Sequence, residues 1–423
     1  MATRTGAFVA LLLCGVALAS TTPAEKALAR ARRFEEAGQF AEAADAYERA
    51  AELIEASADH RRDDVFDARS AAGRLHGLAG NFPHALAQSE LALELAVADN
   101  LGLERVVSTR LRIVSVFSNL GAPSRAQDEA CRLESLADRN EGLVPDALWI
   151  QVQLVCAATH SAVGSMPEAR DRVRKAHARI RERGLSKSAQ RQAYALSFRV
   201  LASMNFRVGE YETAVKSANS SMSKIDKDDT LGRLFALTAR GLSRVRIGES
   251  AAGVRDLTAA TKLSSALPRS LQKHGFAARL ELFRIIRTGR ERISLGVDAA
   301  TIQRFSLTLP ESHPDRILCA IRIAERKSSR GEHDEAIAGL TEAFANAHAA
   351  HGSSLRVTVE ACIALAKAHQ RAGNSGSSRQ FGALARRYLG RQVGLRARAF
   401  LELDRLLALD TPGGATTESQ SPK

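Results

Sequence analysis

The chain has 423 residues, of which 45% are hydrophobic, 25% charged and 5% aromatic. Ten prolines and 29 glycines exclude a collagenous or low-complexity chain, and the apolar fraction excludes wholesale disorder. The 60 Lys and Arg against 47 Asp and Glu leave a formal +13; 49 of the 60 are arginine, a bias that suits an anionic partner and equally a codon preference.

Residues 1–20 hold one early charge, Arg4, an apolar run from Ala7 to Leu18, and the small-residue pattern Ala17-Leu18-Ala19. This is the layout of a secretory signal peptide, 1–19, removed after Ala19. The run is shorter than the roughly 20 apolar residues of a membrane-spanning helix. A mature periplasmic or secreted protein is therefore expected, with an uncleaved N-terminal membrane anchor as the alternative. Cys14 does not make a lipobox, because Leu13 precedes it where a small residue is needed. Cys131, Cys156, Cys319 and Cys362 are too far apart for a C-x-x-C motif, and each is read as a small core residue of an apolar helical stretch. Disulfides among them stay open.

From Glu25 to about Ala408 the composition is helix-forming, with apolar residues at steps of three and four and no strand-like alternation. One turn recurs: Gly38-Gln-Phe40 before Ala43, Gly80-Asn-Phe82 before Ala85, Gly164-Ser-Met166 before Ala169, Gly209-Glu-Tyr211 before Ala214, and Gly331-Glu-His333 before Ala336. Weaker copies fall at Gly121, Gly248, Gly289 and Gly373, so the spacing averages close to 42 residues. A fixed period of that size is the mark of a solenoid and replaces the three-domain expectation from length. In one unit, a helix stops at the glycine, the large residue packs across the turn, and the alanine lets the next helix approach closely. A second small residue, Ala50, Ala92, Ala176, Ser221 or Ala343, repeats the close contact about seven residues later.

This pattern resembles the tetratricopeptide repeat; Gly38, Phe40, Ala43, Tyr47 and Ala50 match five of its positions in order. The resemblance covers nearly the whole mature chain, with a period longer than the family's usual one and without its first-helix tryptophan. It implies an all-α, right-handed α-solenoid of about nine helix hairpins over residues 20–409. Leu395–Leu409 is expected to cap the array and 410–423 to be a disordered tail. Residues 289–316, with Pro310 and Pro314, are expected to form a loop or a bent junction.

No P-loop, G-x-G-x-x-G or G-x-S-x-G motif is present. Gly248-Glu-Ser250 falls on a repeat turn and lacks the spacing of a nucleophile elbow. His348 and His351 are three apart with no third ligand nearby, so no metal site is expected there. Glu332–Glu335 and His60–Asp64 read as solvated charged turns. The sequon at Asn219 lies in a helix whose Ser221 should pack inward. No catalytic residue, cofactor or metal is assigned, and the chain is read as non-enzymatic.

In the resembled family the first helices line a concave groove, through side chains about thirteen, ten, six and three places before the turn glycine. Carried over, this implies Ser70 and Arg74, then Arg112, Ser115 and Ser118, then Arg199, Ser203 and Phe206, then Arg279, and finally Glu360, Lys367 and Gln370. Arginine suits two-pronged binding of carboxylate or phosphate, so an acidic peptide or protein segment is the functional reading; solvated residues of an arginine-rich chain are the plain alternative. Residues 20–64 carry 7 basic and 11 acidic groups, whereas 165–191 carry nine against three. Aromatic residues for base stacking are scarce in the basic stretches, which favours an anionic membrane or glycan over nucleic acid as a peripheral contact. The expected function is an exported scaffold or adaptor that holds a protein segment in its groove. The alternatives are a peptide-sensing regulator with a separate effector, and an envelope-associated assembly factor.

Overall fold

A computed structural model describes residues 22–57, 61–267, 269–286, 298–307, 309, 311, 313–351 and 356–391. The leader with Cys14, His60, Gly289, the expected capping helix and the C-terminal tail lie outside the described residues. The chain divides into two units, Met1–Gly102 and Leu103–Lys423.

The first unit contains two helix hairpins, α1 (Pro23–Glu36) with α2 (Phe40–Glu55) and α3 (Arg62–Ala79) with α4 (Phe82–Ala98). The α1 start is dictated locally. The Thr22 hydroxyl accepts from the Glu25 amide while the Glu25 carboxylate accepts from the Thr22 amide, and Pro23 occupies the first helical position, where no amide proton is needed.

The second unit continues with α5 (Leu103–Asn119) and α6 (Pro123–Arg139), α7 (Asp146–Ala162) and α8 (Met166–Glu182), α9 (Lys187–Arg207) and α10 (Tyr211–Met222), and α11 (Thr230–Arg246) and α12 (Ser250–Ala266). A 3-10 turn, Arg269–Gly275, leads into the shorter α13 (Phe276–Ile285) and α14 (Ala299–Ser306). Two further hairpins follow, α15 (Pro314–Ser328) with α16 (His333–His351) and α17 (Arg356–Arg371) with α18 (Ser375–Arg391).

Every described turn glycine, Gly38, Gly80, Gly121, Gly164, Gly209, Gly248, Gly331 and Gly373, has φ between 70° and 93°, a region that a Cβ makes costly. At Gly80 this lets the Asn81 amide donate to the His76 carbonyl at 2.9 Å, so the last turn of α3 keeps its hydrogen bonds. The small residues after the turns are buried without exception: Ala43, Ala85, Ala169, Ala214 and Ala336, then Ala50, Ala92, Ala176, Ser221 and Ala343. Ser221 faces inward and donates to the Ala195 carbonyl at 2.9 Å, which sets the sequon in a packed helix.

One expectation gains detail and another is corrected. Within 289–316, expected to be a loop or a bent junction, Ala299–Ser306 is the helix α14. Asp298 caps it, accepting from the Thr301 amide at 3.0 Å, and Ile302 is driven into the core beside Phe276, Phe283 and Cys319. Cys131 is exposed, unlike the buried Cys156, Cys319 and Cys362. The core stripe of α6 is Ala126, Ala130, Leu133 and Ala137, and Cys131, one residue past Ala130, turns about 100° away from it. All four thiols are free, and burial pushes Cys362 up to about 12.

Candidate functional site

The first helices of the second unit pack on one another in succession: α5 on α7, α7 on α9, α9 on α11, α11 on α13, α13 on α15 and α15 on α17. They form one wall, and on it lies a cavity of about 700 Å³. That volume is within the range of small-ligand pockets, about 300–1,000 Å³. Its α5 and α7 end is small and neutral, formed by Ser115, Ser118, Asn119, Ala158 and Thr159. Phe206, Leu242 and Leu280 make an apolar middle, and Arg246, Glu281, Asp315, Arg322 and Glu360 bring charge to the far end.

The wall is crossed obliquely. The residue six places before the turn glycine lines the cavity in four consecutive first helices: Ser115, Ala158, Ser203 and Leu242. In α15 and α17 the six-place residues, Glu325 and Lys367, are outside the lining, which instead includes Leu318 and Glu360, thirteen places before their glycines. The level of the lining residues thus lies nearer the helix N-terminus in α15 and α17 than in the four earlier helices.

The charged end is internally paired. Arg246 lies 3.9 Å from Glu281, which also accepts from Arg284 at 2.5 Å. Arg322 binds Glu360 at 2.5 Å and Glu325 at 2.7 Å. Burial works against the Arg322 charge, but Glu360 and Glu325 outweigh it and hold its proton more tightly than usual. Burial likewise opposes ionisation of Glu281, yet the Arg284 hydrogen bond and the charges of Arg246, Arg284 and Arg322 hold its carboxyl below the ordinary 4.5. A depressed carboxylate contributes stability above its unfolded pKa and loses it as pH falls through the folded value. The urea midpoint of the parent is therefore expected to drop as pH is lowered from 4.5 toward that value, and Glu281→Gln should flatten this drop; equal acid sensitivity in both proteins would contradict it.

Of the residues implied by the resemblance, Ser115, Ser118, Ser203 and Phe206 are brought together on this wall. The Ser115 and Ser118 hydroxyls bond back to the Leu111 and Val114 carbonyls at 3.0 Å each, leaving their oxygens as acceptors. Arg112 is half-buried on α5, outside the cavity lining. Arg199 stacks its guanidinium 5.3 Å from the Phe235 ring centre, and burial lowers its pKa. Arg279 is 4% exposed and donates to the Ser265 hydroxyl at 2.8 Å, so it faces α12. Lys367 and Gln370 are half-buried on α17, while Glu360 of the same helix lines the cavity. Ser70 and Arg74 belong to the first unit, where Arg74 bonds Glu35 at 2.6 Å.

The lining residues that the sequence reading missed include Ala158, Leu242, Leu280, Glu281 and Arg322. The same six-place count selects Ala158 and Leu242; their plain side chains hid them. Elsewhere, His348 is exposed, with its ring 5.7 Å from Phe344, and the His351 side chain lies outside the described residues. Among the described residues, donors suited to a metal converge in the first unit, at Asp45, Glu48 and His76. No described helix is long and apolar enough to cross a membrane.

No protein-family model matches the sequence, and no curated protein matches it. Among solved structures, NprR in complex with its cognate peptide NprX is 12% identical, with 76% of this chain and 87% of that chain covered at a TM-score of 0.53. The fold is a TPR-like α-solenoid. The apo form of the quorum sensor NprR from B. thuringiensis covers 90% of this chain and 92% of its own at 11% identity and a TM-score of 0.48. The P58(IPK) TPR domain covers 92% of this chain and all of its own at 15% identity, with a TM-score of 0.25. At these identities the likeness is one of fold.

Proposed function

We propose that this TPR-like chain is a non-enzymatic interaction scaffold that holds an extended peptide or protein segment against the wall of first helices in residues 103–391. The observation that carries the reading is the cavity of about 700 Å³, to which seven successive first helices contribute. A broad surface with an apolar middle and polar ends suits a chain with alternating side chains better than a compact metabolite. The pairing of Arg246 with Glu281 and of Arg322 with Glu360 leaves the floor close to charge balance, which favours a neutral or mixed-charge segment. The acidic preference expected from Arg74, Arg112 and Arg199 rests on residues outside this cavity.

A second reading is a peptide-sensing regulator that works with a separate effector. It is supported by the fold shared with NprR, which was solved with its cognate peptide. The mean glycine spacing near 42 supports a longer-helix variant of the superfamily. Export, with a role in the cell envelope, rests on the leader-like layout of residues 1–20 and is tested by fractionation and N-terminal sequencing.

The groove reading is tested with a displayed library of random peptides selected on the chain from residue 20. Ala158 and Ser203 are exposed within the cavity, so Ala158→Trp and Ser203→Trp should fill it without unfolding the helices. Each is expected to weaken the selected peptides about 100-fold, near 2.7 kcal/mol, while Arg74→Glu and Arg112→Glu leave them bound. Peptides insensitive to both tryptophans would remove the groove as the site.

A further inference from the structure

The first unit holds three donors that the groove does not use. Asp45 and Glu48, three residues apart, share one face of α2, and His76 reaches them from α3 in the next hairpin. The His76 Nε2 lies 3.3 Å from Glu48 Oε2 and 4.0 Å from Asp45 Oδ1, and the three donor atoms are all within 4.8 Å of one another. A tetrahedral zinc ion with nitrogen and oxygen ligands at about 2.0–2.1 Å separates them by about 3.4 Å. The His76–Glu48 pair already meets that spacing. Asp45, with its side chain 76% exposed, has the freedom to close the rest.

Charge points the same way. One Nε2 proton serves only one of two carboxylates. Among the described residues neither Asp45 nor Glu48 has a lysine or arginine in ion-pair range, whereas Glu35 and Glu55 of the same unit are taken by Arg74 and Arg69. Glu48 is oriented from behind, accepting from the Gln88 amide at 2.7 Å, and Gln88 is itself held by Arg69 at 3.1 Å. His76 is 1% exposed, so its ring is fixed by packing. The result is two carboxylates and an imidazole, with ligand orientation built in on one side and solvent on the other.

We propose that Asp45, Glu48 and His76 bind a divalent transition metal of the zinc class, with water completing the coordination on the solvent side. One imidazole with two carboxylates suits zinc better than calcium or magnesium, which prefer all-oxygen sites. The ion ties α2 of the first hairpin to α3 of the second and offsets part of the negative charge of residues 20–64, where 7 basic face 11 acidic groups.

The test is zinc chloride titrated into the metal-free full chain in competition with a chromophoric chelator, with thermal unfolding in parallel. One zinc per chain is expected at micromolar affinity or tighter, together with a zinc-dependent rise in melting temperature. Asp45→Asn, at an exposed position, should fold as the parent and bind at least about tenfold more weakly. Asp45→Asn with Glu48→Gln should lose both the site and the thermal shift. Cobalt in place of zinc should give visible absorption bands of tetrahedral intensity in the parent and not in the double variant. Unchanged zinc affinity and stoichiometry in the double variant would assign binding to other histidines and overturn the proposal, as would no zinc-dependent thermal shift in the parent.

Discussion

Replacing Asp256 by alanine is expected to destabilise the second unit by about 3 kcal/mol, the low end for breaking a buried ion pair. Asp256 lies on α12, 6% exposed, and accepts from Arg240 through both oxygens, at 2.7 and 2.9 Å. Arg244, one turn further along α11, donates to the same carboxylate at 2.9 Å. The two guanidiniums keep only 19% and 24% of their side-chain exposure, so deleting the acid leaves two like charges close together with little water to replace it. Asp256→Asn retains the volume and one acceptor and should fall between the parent and alanine. Arg240→Met in the Asp256→Ala background should restore part of the loss, because it removes one stranded charge. Urea titration followed by circular dichroism gives the magnitude, and hydrogen exchange at α11 and α12 amides shows whether the loss is local. A change within about 0.5 kcal/mol, the range of ordinary surface substitutions, would show that the other partners of these arginines, Asn219 at 2.9 Å from Arg240 and Glu249 at 3.4 Å from Arg244, carry them without Asp256.

Gly253→Ala is the second substitution expected to have a large effect, and its direction is opposite to helix propensity. Alanine is the better helix former by about 1 kcal/mol. A Cβ at 253, however, would stand 2.6 Å from Val245 Cγ2 and 2.9 Å from the Gly241 carbonyl oxygen; one at 241 would stand 3.0 Å from the Gly253 carbonyl. The backbones of α11 and α12 meet at this glycine pair, and a clash with a carbonyl is not relieved by turning a side chain. The helices must separate, which costs about 1–3 kcal/mol and outweighs the propensity gain. Gly339, in the middle of α16, is the control. Its nearest neighbour would be the Ala324 Cβ at 3.7 Å, an ordinary contact, so Gly339→Ala should stabilise the protein by up to about 1 kcal/mol. Chemical denaturation of the two variants tests the pair. If both alanines stabilise, the α11–α12 contact is looser than described.

The helices and their turns were legible because their causes are local. A glycine that must adopt positive φ, a proline at a helix start and an alanine where two helices touch each leave a mark at one position, and the marks repeat. The helix α14 was missed because Pro310 and Pro314 drew attention to a break, while the Asp298 cap and the core-facing Ile302 before them carry a weaker signal. Cys131 was misplaced because an apolar stretch was judged by its composition, although the buried stripe of α6 passes one residue to the side.

The candidate site was legible only in part. Counting back from a turn glycine selects a helix face, and Ser115, Ser118, Ser203 and Phe206, picked out this way, line one cavity. The count assumes that the same level of every helix faces the cavity. That level lies nearer the helix N-terminus in α15 and α17, so Lys367 falls outside the lining and Glu360 within it.

The sequence by itself determined an all-helical chain of hairpins, where the hairpins of the described residues turn, and which small residues separate their helices, because each depends on a few neighbouring residues. Tertiary structure alone decided which charges meet. Arg246 with Glu281, Arg322 with Glu360, and His76 with Glu48 are 28 to 38 residues apart in sequence and 2.5 to 3.9 Å apart in space. Stacking of successive helices sets such pairs, and ionic attraction leaves no periodic trace along the chain. Paired arginines cancel against their acids, so the +13 excess of the whole chain lies outside these pairs, while the charge of the cavity floor follows from the pairs that the stacking forms.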